Sequence, residues 1–249
     1  MRLLKENYEG LQKINNLSEP LKKFLSDPKI QELFRACDFS TLYKKLGTNS
    51  PDLTELLNDL NINPLDYLDY IPKYFLAWTG IESIDIPNHI KEINASAFYN
   101  CVSLMSITIP DSVTSIGINA FYGCSKLQNI YITDIAEWCN ISGLHNLMGY
   151  GASSKNLYLN NKLVISITIP NGVMAIPVYT FRNCSGLTSI TIPDSVTSIS
   201  WGPFEGCSNL TSINYIGIKD QWSNINFSDE WNINSSIKTI HCTDGDINL

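Results

Sequence analysis

The sequence predicts an α+β protein: an α-helical module over residues 1–80, then a β-solenoid over residues 81–249. Three observations carry this. Charge thins abruptly near residue 80, helix-start signals crowd the segment before it, and a 23-residue pattern recurs after it. Of 17 Lys/Arg and 24 Asp/Glu, residues 1–80 hold 10 and 11, leaving 7 and 13 for the rest. Such a shift marks two separately built modules.

In the first module, Ser18 before Glu19-Pro20, Asp27 before Pro28, Ser50 before Pro51 and Asn63 before Pro64 place capping side chains at or near helix-starting prolines. Apolar residues follow at helical spacing: Leu21, Phe24 and Leu25; Ile30, Leu33 and Phe34; Leu53, Leu56, Leu57 and Leu60. Gly47 after Leu46 supplies a C-terminal stop. Charges such as Lys22-Lys23, Lys44-Lys45 and Asp59 read as solvated faces.

The second module repeats itself. Regular units span 83–105, 106–128, 166–188 and 189–211, and longer variants span 129–165 and 212–249. Ile84, Ile107, Ile167 and Ile190 recur, each followed two residues on by Ile86, Ile109, Ile169 and Ile192, the alternation of a short half-buried strand. Proline follows at once (Pro87, Pro110, Pro170, Pro193) and turns the chain. A second apolar pair, such as Val113 and Ile116, predicts a weaker extended segment. Phe98, Phe121, Phe181 and Phe204 stand three residues before Cys101, Cys124, Cys184 and Cys207, and Leu104, Leu127, Leu187 and Leu210 three after, a spacing that suits a helical or 3₁₀ turn. One unit cannot bury its own apolar face, so the units stack, and identical residues form ladders.

The pattern L-x-x-I-x-I-P-x-x-V-x-x-I-g-x-x-A-F-x-x-C resembles the BspA-type leucine-rich repeat, over about 83–249. Thr180 and Pro203 depart from the small residue held by Ala97 and Ala120. The variants resemble the family's variant and closing repeats and match each other: Tyr131-Ile132 stands six residues before Trp138, and Tyr215-Ile216 six before Trp222. The resemblance implies a right-handed leucine-rich-repeat β-solenoid specialised for binding, often on bacterial surfaces. Something must cover the open end at Ile84 and Ile86. The helical module is expected to cap it, with Tyr74-Phe75-Leu76-Ala77-Trp78 as the joint. Trp222 and Trp231 are expected to cover the last coil.

Net charge −7 and a pI near 4.9 argue against nucleic acid or an anionic membrane as partner. No window approaches a membrane-spanning apolar run, so no insertion is expected. The opening MRLLKENYEG is charged where an export signal is apolar; as it stands the chain reads as cytoplasmic, whereas the resemblance implies secretion or the cell surface. Cys101, Cys124, Cys184 and Cys207 share one repeat position and are expected as free buried thiols. Cys37, Cys139 and Cys242 lack ligand spacing, and His89, His145 and His241 lie in no metal motif, so no metal or cofactor is expected. With no nucleophile elbow or phosphate loop either, the chain is not expected to be an enzyme. Triplets such as Asn94-x-Ser follow from Asn- and Ser-rich composition.

The remaining candidates lie on the surface. Outward strand positions Asp85, Thr108, Thr168 and Thr191, with Ser83, Ser106, Ser166 and Ser189, form a polar strip. Variable positions flank the ladder Phe: Tyr99 and Tyr122 after it, Ile118, Tyr179 and Trp201 before it. Exposed aromatics favour interfaces, so a monomer engaging a protein or glycan partner is expected. The alternatives are a structural spacer presenting the helical module, and aromatics that merely shield neighbouring ridges.

Overall fold

The computed structural model describes residues 28 and 70–249. The predicted helical module, with Cys37 and its capping prolines other than Pro28, lies outside the described residues except for 28 and 70–80. There, Tyr74–Trp78 forms turns rather than a helix, and Ile71 bridges in parallel to Ile93. Leu76 N–H donates to Ala97 O at 2.8 Å and Trp78 N–H to Tyr99 O at 2.7 Å. Among the described residues, Ile71–Trp78 is therefore already stacked on the coil that follows it.

Each regular coil turns three corners. In the first, β1 (Ser83–Asp85) leads through Pro87 to β2 (Glu92–Ile93), then to a run of turns around Phe98. The second coil repeats this with β3 (Ser106–Ile109), Pro110, β4 (Ser115–Ile116) and Phe121. Because strand side chains alternate, Ile107 and Ile109 point inward and are buried, whereas Ser106 and Thr108 face out. Strands stack in parallel without slippage: Ile84 beside Ile107, Ile93 beside Ile116. A one-residue slip would turn every Ile outward. The turn side is hydrogen-bonded from coil to coil as well, Phe98 N–H donating to Ala120 O at 2.8 Å and Asn100 N–H to Tyr122 O at 2.7 Å.

The recurrent cysteine has a local reason. Cys124 Sγ donates to Phe98 O at 3.1 Å, Cys207 Sγ to Phe181 O at 3.0 Å, and Cys101 Sγ to Leu76 O at 2.8 Å. A small apolar side chain with one weak donor thus answers a carbonyl one coil back. Thr79 stands in the same place ahead of Cys101, its hydroxyl donating to Leu76 O at 2.7 Å. Cys101, Cys124, Cys184 and Cys207 are buried and free. Burial pushes Cys139 and Cys184 up to about 12, so these thiols stay protonated. The two departures at the small-residue position are also satisfied. Thr180 is fully buried with its hydroxyl bonded to Pro177 O at 2.8 Å, and Pro203 still offers its carbonyl to Phe181 N–H at 2.8 Å.

The third unit departs from the rule. After β5 (Asn129–Ile132) come α1 (Ile135–Asn140), capped by Asp134 Oδ1 on Glu137 N–H at 2.9 Å, and α2 (His145–Met148). Then β6 (Asn156–Leu159) stacks on β5, and β7 (Lys162–Leu163) folds back on β6 antiparallel. The hairpin loop, Asn160-Asn161, has φ of 50° and 62°, the left-handed pair that a two-residue turn requires. No next strand pairs with β7. A second sheet begins instead with β8 (Ser166–Thr168).

That second sheet repeats the first. β8 leads to β9 (Ala175–Ile176), then come β10 (Ser189–Ile192), which pairs with β8, β11 (Ser198–Ile199), which pairs with β9, and β12 (Ser212–Tyr215). Next come α3 (Lys219–Ser223), β13 (Asn226–Phe227) and a closing hairpin of β14 (Thr239–Cys242) and β15 (Gly245–Asn248). The sheets run β1-β3-β5-β6-β7 and β8-β10-β12-β14-β15. Their strands correspond at a displacement of 83 residues: Ser83 to Ser166, Ser106 to Ser189, Asn129 to Ser212, Asn156 to Thr239. So the solenoid, of about seven turns, is two copies of one block, each ended by a hairpin. Trp222 is buried against Tyr215, Phe227 and Trp231 in the last unit, while the edge of the sheet there is formed by the β14–β15 hairpin.

One hydrophobic core runs through both blocks. With no strand pairing across the join, other contacts hold it. Trp138 Nε1 donates to Thr180 O at 3.1 Å and Lys155 N–H to Asn183 O at 2.8 Å, and the hydroxyls of Ser154 and Ser185 lie 2.7 Å apart. The Lys155 side chain is 2% exposed, with Nζ donating to Ala152 O at 3.1 Å. Burial brings its pKa down to about 8; Arg182 pushes the same way, while Cys184 and Glu205 oppose it.

Two predictions follow from this packing. Phe121→Ala removes a fully buried ring stacked on Phe98 at 4.9 Å and should cost about 3–5 kcal/mol in urea unfolding. Its exposed neighbour gives the contrast: Tyr122→Ala should cost about 1 kcal/mol. Lys155→Met should stabilise the chain at neutral pH. A lysine with its pKa lowered by folding binds fewer protons folded than unfolded, so its penalty is full below about pH 8 and fades toward pH 10.5. The stability advantage of the variant should therefore shrink as pH is raised from about 7 to 9, where the ladder thiols are common to both proteins and cancel. An advantage that did not change with pH would show that Lys155 carries no buried charge.

Candidate binding surface

The polar strip is present but divided. Asp85 and Thr108 lie side by side on the first sheet, the Thr108 hydroxyl donating to the Asp85 carboxylate. Thr168 and Thr191 lie side by side on the second sheet, beyond the β6–β7 hairpin. Nor do the columns stay small. On the first sheet Thr108 is followed by Tyr131 and Tyr158, stacked at 4.5 Å, with Asn156 Nδ2 donating to Asn129 Oδ1 at 2.8 Å beside them. On the second, Thr191 is followed by Asn214 and His241, and His241 Nδ1 pairs with Asp246 Oδ1 at 2.8 Å. Setting NIYI and NLYL in phase with SITI would have revealed the two tyrosines.

The aromatic candidates gather on the turn side. Tyr99 and Tyr122 stack at 5.2 Å with an interplanar angle of 17°. Trp78 extends the row below them at 5.5 Å, and Tyr150 meets Tyr122 edge-on at 5.4 Å, its hydroxyl donating to Asn119 Oδ1 at 3.1 Å. Ile118 is 68% exposed and Tyr122 46%. Large apolar groups in the open beside a row of rings are the composition of an interface core. Trp78 and Tyr150 fall outside the regular repeats, which is why the repeat alignment did not find them.

In the second block Tyr179 and Trp201 form a separate pair, centroids 5.1 Å apart and ring planes at 66°. Tyr179 sits at a left-handed φ of 62°, where sister coils carry Ser96, Asn119 and Gly202. For a bulky side chain that conformation is costly and needs support from its surroundings. Arg182 supplies some. Its guanidinium lies 4.3 Å from the Tyr179 ring centroid, Nε and Nη2 donate to the Glu205 carboxylate at 2.8 and 3.2 Å, and Nη1 donates to Gly149 O at 2.8 Å. Gly149 lies so close that an added Cβ would stand 3.4 Å from Tyr179 Cε2. Trp201 Nε1 donates to Glu230 Oε2 at 3.1 Å. Arginine clamping across coils was not signalled by any repeat position, since Arg182 and Glu205 occupy the places of Tyr99 and Tyr122.

Among the described residues no three His, Cys, Asp or Glu side chains converge to hold a metal ion. No helix among them is long and apolar enough to cross a membrane. The thiols of the ladder are buried, and those of Cys101, Cys124 and Cys207 are bonded to carbonyls.

The family model for the BspA-type leucine-rich repeat region matches in six copies over residues 69–142 and 153–244. Similar solved structures include a leucine-rich cell surface protein from Faecalibacterium prausnitzii, 33% identical over 59% of this chain and 35% of that one, with a TM-score of 0.34. A leucine-rich repeat protein from Bacteroides ovatus is 25% identical over 71% of this chain and 46% of its own, TM-score 0.44. A third, from T. pallidum, is 28% identical over 53% and 68%, TM-score 0.33. The chain thus spans between a third and a half of the first two. A comparison with curated proteins finds no match. With most of its length matched repeat by repeat, the chain belongs to the BspA-type leucine-rich repeat family.

Proposed function

We propose that this protein is a non-enzymatic binding protein that engages a protein or glycan partner through the turn side of its solenoid. One observation carries the reading. Tyr122, 46% exposed, stands in a row of rings with Tyr99 and Tyr150, and Ile118, 68% exposed, directly precedes Asn119, which accepts from the Tyr150 hydroxyl. Leaving these groups in water gains the fold nothing, and burying them under a partner recovers about 25 cal/mol per Å². Tyr179 and Trp201, clamped by Arg182 and Glu230, are a second rigid pair on the next block. Rigid aromatics lose little entropy on docking, which suits them to anchoring. The polar strip of Asp85, Thr108, Thr168 and Thr191 is a secondary surface of the same proposal. Membership of a family with cell-surface relatives supports presentation outside the cell, although the partner is not specified by it.

The spacer reading has one observation in its favour: Tyr99 and Tyr122 cover each other's faces, so part of the row is occupied by itself. In that reading the helical module of residues 1–80 would be the cargo, and in ours it caps the solenoid below Ile71.

The test is a screen of the full chain against immobilised extracellular-matrix proteins and a glycan array, run beside Ile118→Ser/Tyr122→Ala and Tyr179→Ala/Trp201→Ala. A partner is expected whose affinity falls about tenfold or more in the first double variant, the loss of a hot spot, with unchanged circular dichroism. A partner bound equally by both variants would move the site off the turn side, and absence of any partner would favour the spacer.

A further inference from the structure

We propose that Asn171-Gly172 is a self-modification site, where Asn171 is converted to aspartate or isoaspartate through a cyclic imide. The proline corners between first and second strands recur as turns at one repeat position, two in each block. They read Pro87-Asn88-His89, Pro110-Asp111-Ser112, Pro170-Asn171-Gly172 and Pro193-Asp194-Ser195. Only one of them holds Asn followed by Gly, and it is the sole such pair in the sequence. Both residues are exposed to solvent. Gly172 has φ +94°, and no atom lies within 4 Å of where its Cβ would stand. Backbone at that angle favours glycine, and no neighbouring side chain crowds the outer side of the turn.

The chemistry needs only water. The Gly172 amide nitrogen loses its proton to solvent base and attacks Asn171 Cγ. The new N–C bond closes a five-membered imide as the Cγ–Nδ2 bond breaks, and Nδ2 takes up a proton and departs as ammonia. Water then adds to one of the two imide carbonyls and opens the ring. Attack on the side-chain carbonyl carbon gives aspartate, and attack on the backbone one gives isoaspartate. Oxidation states do not change. In the folded chain Gly172 N–H donates to Ser195 Oγ at 3.2 Å, and that hydroxyl donates to Val173 O at 3.1 Å, so the turn is steadied by the next coil while its outer side remains open.

The product matters to the stack. Aspartate at this position reproduces the charge that Asp111 and Asp194 carry at the same repeat position. Isoaspartate instead inserts a methylene into the main chain, immediately before buried Val173 and the inner strand Ala175–Ile176. The site would thus act as a slow irreversible alteration of the coil that begins the second block. Asn88-His89, its counterpart 83 residues earlier, is also an exposed turn pair but has a bulky follower without the left-handed backbone of Gly172, which makes it an internal comparison.

The full chain would be incubated folded in heavy-oxygen water at mildly alkaline pH and mapped by peptide mass spectrometry. The peptide containing Asn171 should gain the mass of an amide-to-acid exchange with one heavy oxygen, split between two isomers, while the Asn88 peptide stays unchanged. Asn171→Gln, which leaves the Gly172 backbone untouched, should abolish the change there, and Gly172→Ser should suppress it where that variant folds. If Asn171 stayed intact in the folded chain but reacted in urea, the fold would be protecting the bond and the proposal would fall. Equal reaction at Asn88 would overturn it too, because glycine would then not be the determinant.

Discussion

Everything in this solenoid depends on keeping one register from coil to coil. Parallel strands pair Ile84 with Ile107 on one side and Ile93 with Ile116 on another, and on the third the turn backbone bonds Phe98 to Ala120. A chain that slips by one residue on any side exposes its apolar ladder on the others. This explains why so many residue identities recur. The inward Ile fills the layer, the proline ends the strand, and the cysteine adds a thiol donor to a carbonyl of the preceding coil. Left-handed backbone is needed at two places in each turn run, and Asn100, Gly123, Asn183 and Gly206 occupy one of them.

The variant units are where the register is handed over. Helical residues replace the regular turn run, so side chains must take over from the main chain. Asn146, buried in the second helix, does this by donating from Nδ2 to Ile116 O at 3.2 Å. Trp138 does the same toward the following coil through Thr180 O. These contacts accommodate a change of coil shape within one continuous core. They also leave Lys155 and Arg182 near the join. One is buried with few partners, and the other is fully engaged with Glu205, Gly149 and Tyr179. The surface aromatics follow the same division, one row on the first block and one pair on the second.

Much of this was legible in the residues. Period-two isoleucines, proline corners and the Phe-x-x-Cys-x-x-Leu run located the regular coils, because each residue type answers a demand that is identical in every coil. Tyr99 with Tyr122, and Tyr179 with Trp201, do meet, since equal phase in the repeat means adjacency in space. What could not be read is what breaks phase. The hairpin at Asn160-Asn161 interrupts a strand pattern that otherwise looks continuous, and so the strip through Asp85, Thr108, Thr168 and Thr191 was expected as one surface. The earliest described turn was hidden for a related reason. Ile71 to Thr79 lacks the isoleucine strand and carries Leu76 and Thr79 where later coils have Phe and Cys, so its kinship shows only in its hydrogen bonds.

The hairpin in the middle of the chain has an evolutionary corollary. Open-ended solenoids lengthen by inserting single coils, and every insertion must match the strand edges above and below it. Here a parcel of coils brings its own terminator, Leu159 folding back through Lys162, so the edge offered to whatever follows is already closed. Duplication of the whole parcel then demands agreement only at the joint, through contacts such as Trp138 with Thr180 and Ser154 with Ser185. Copy number can grow in such quanta while the outward residues of each parcel drift independently, so one scaffold can carry differing faces along its length.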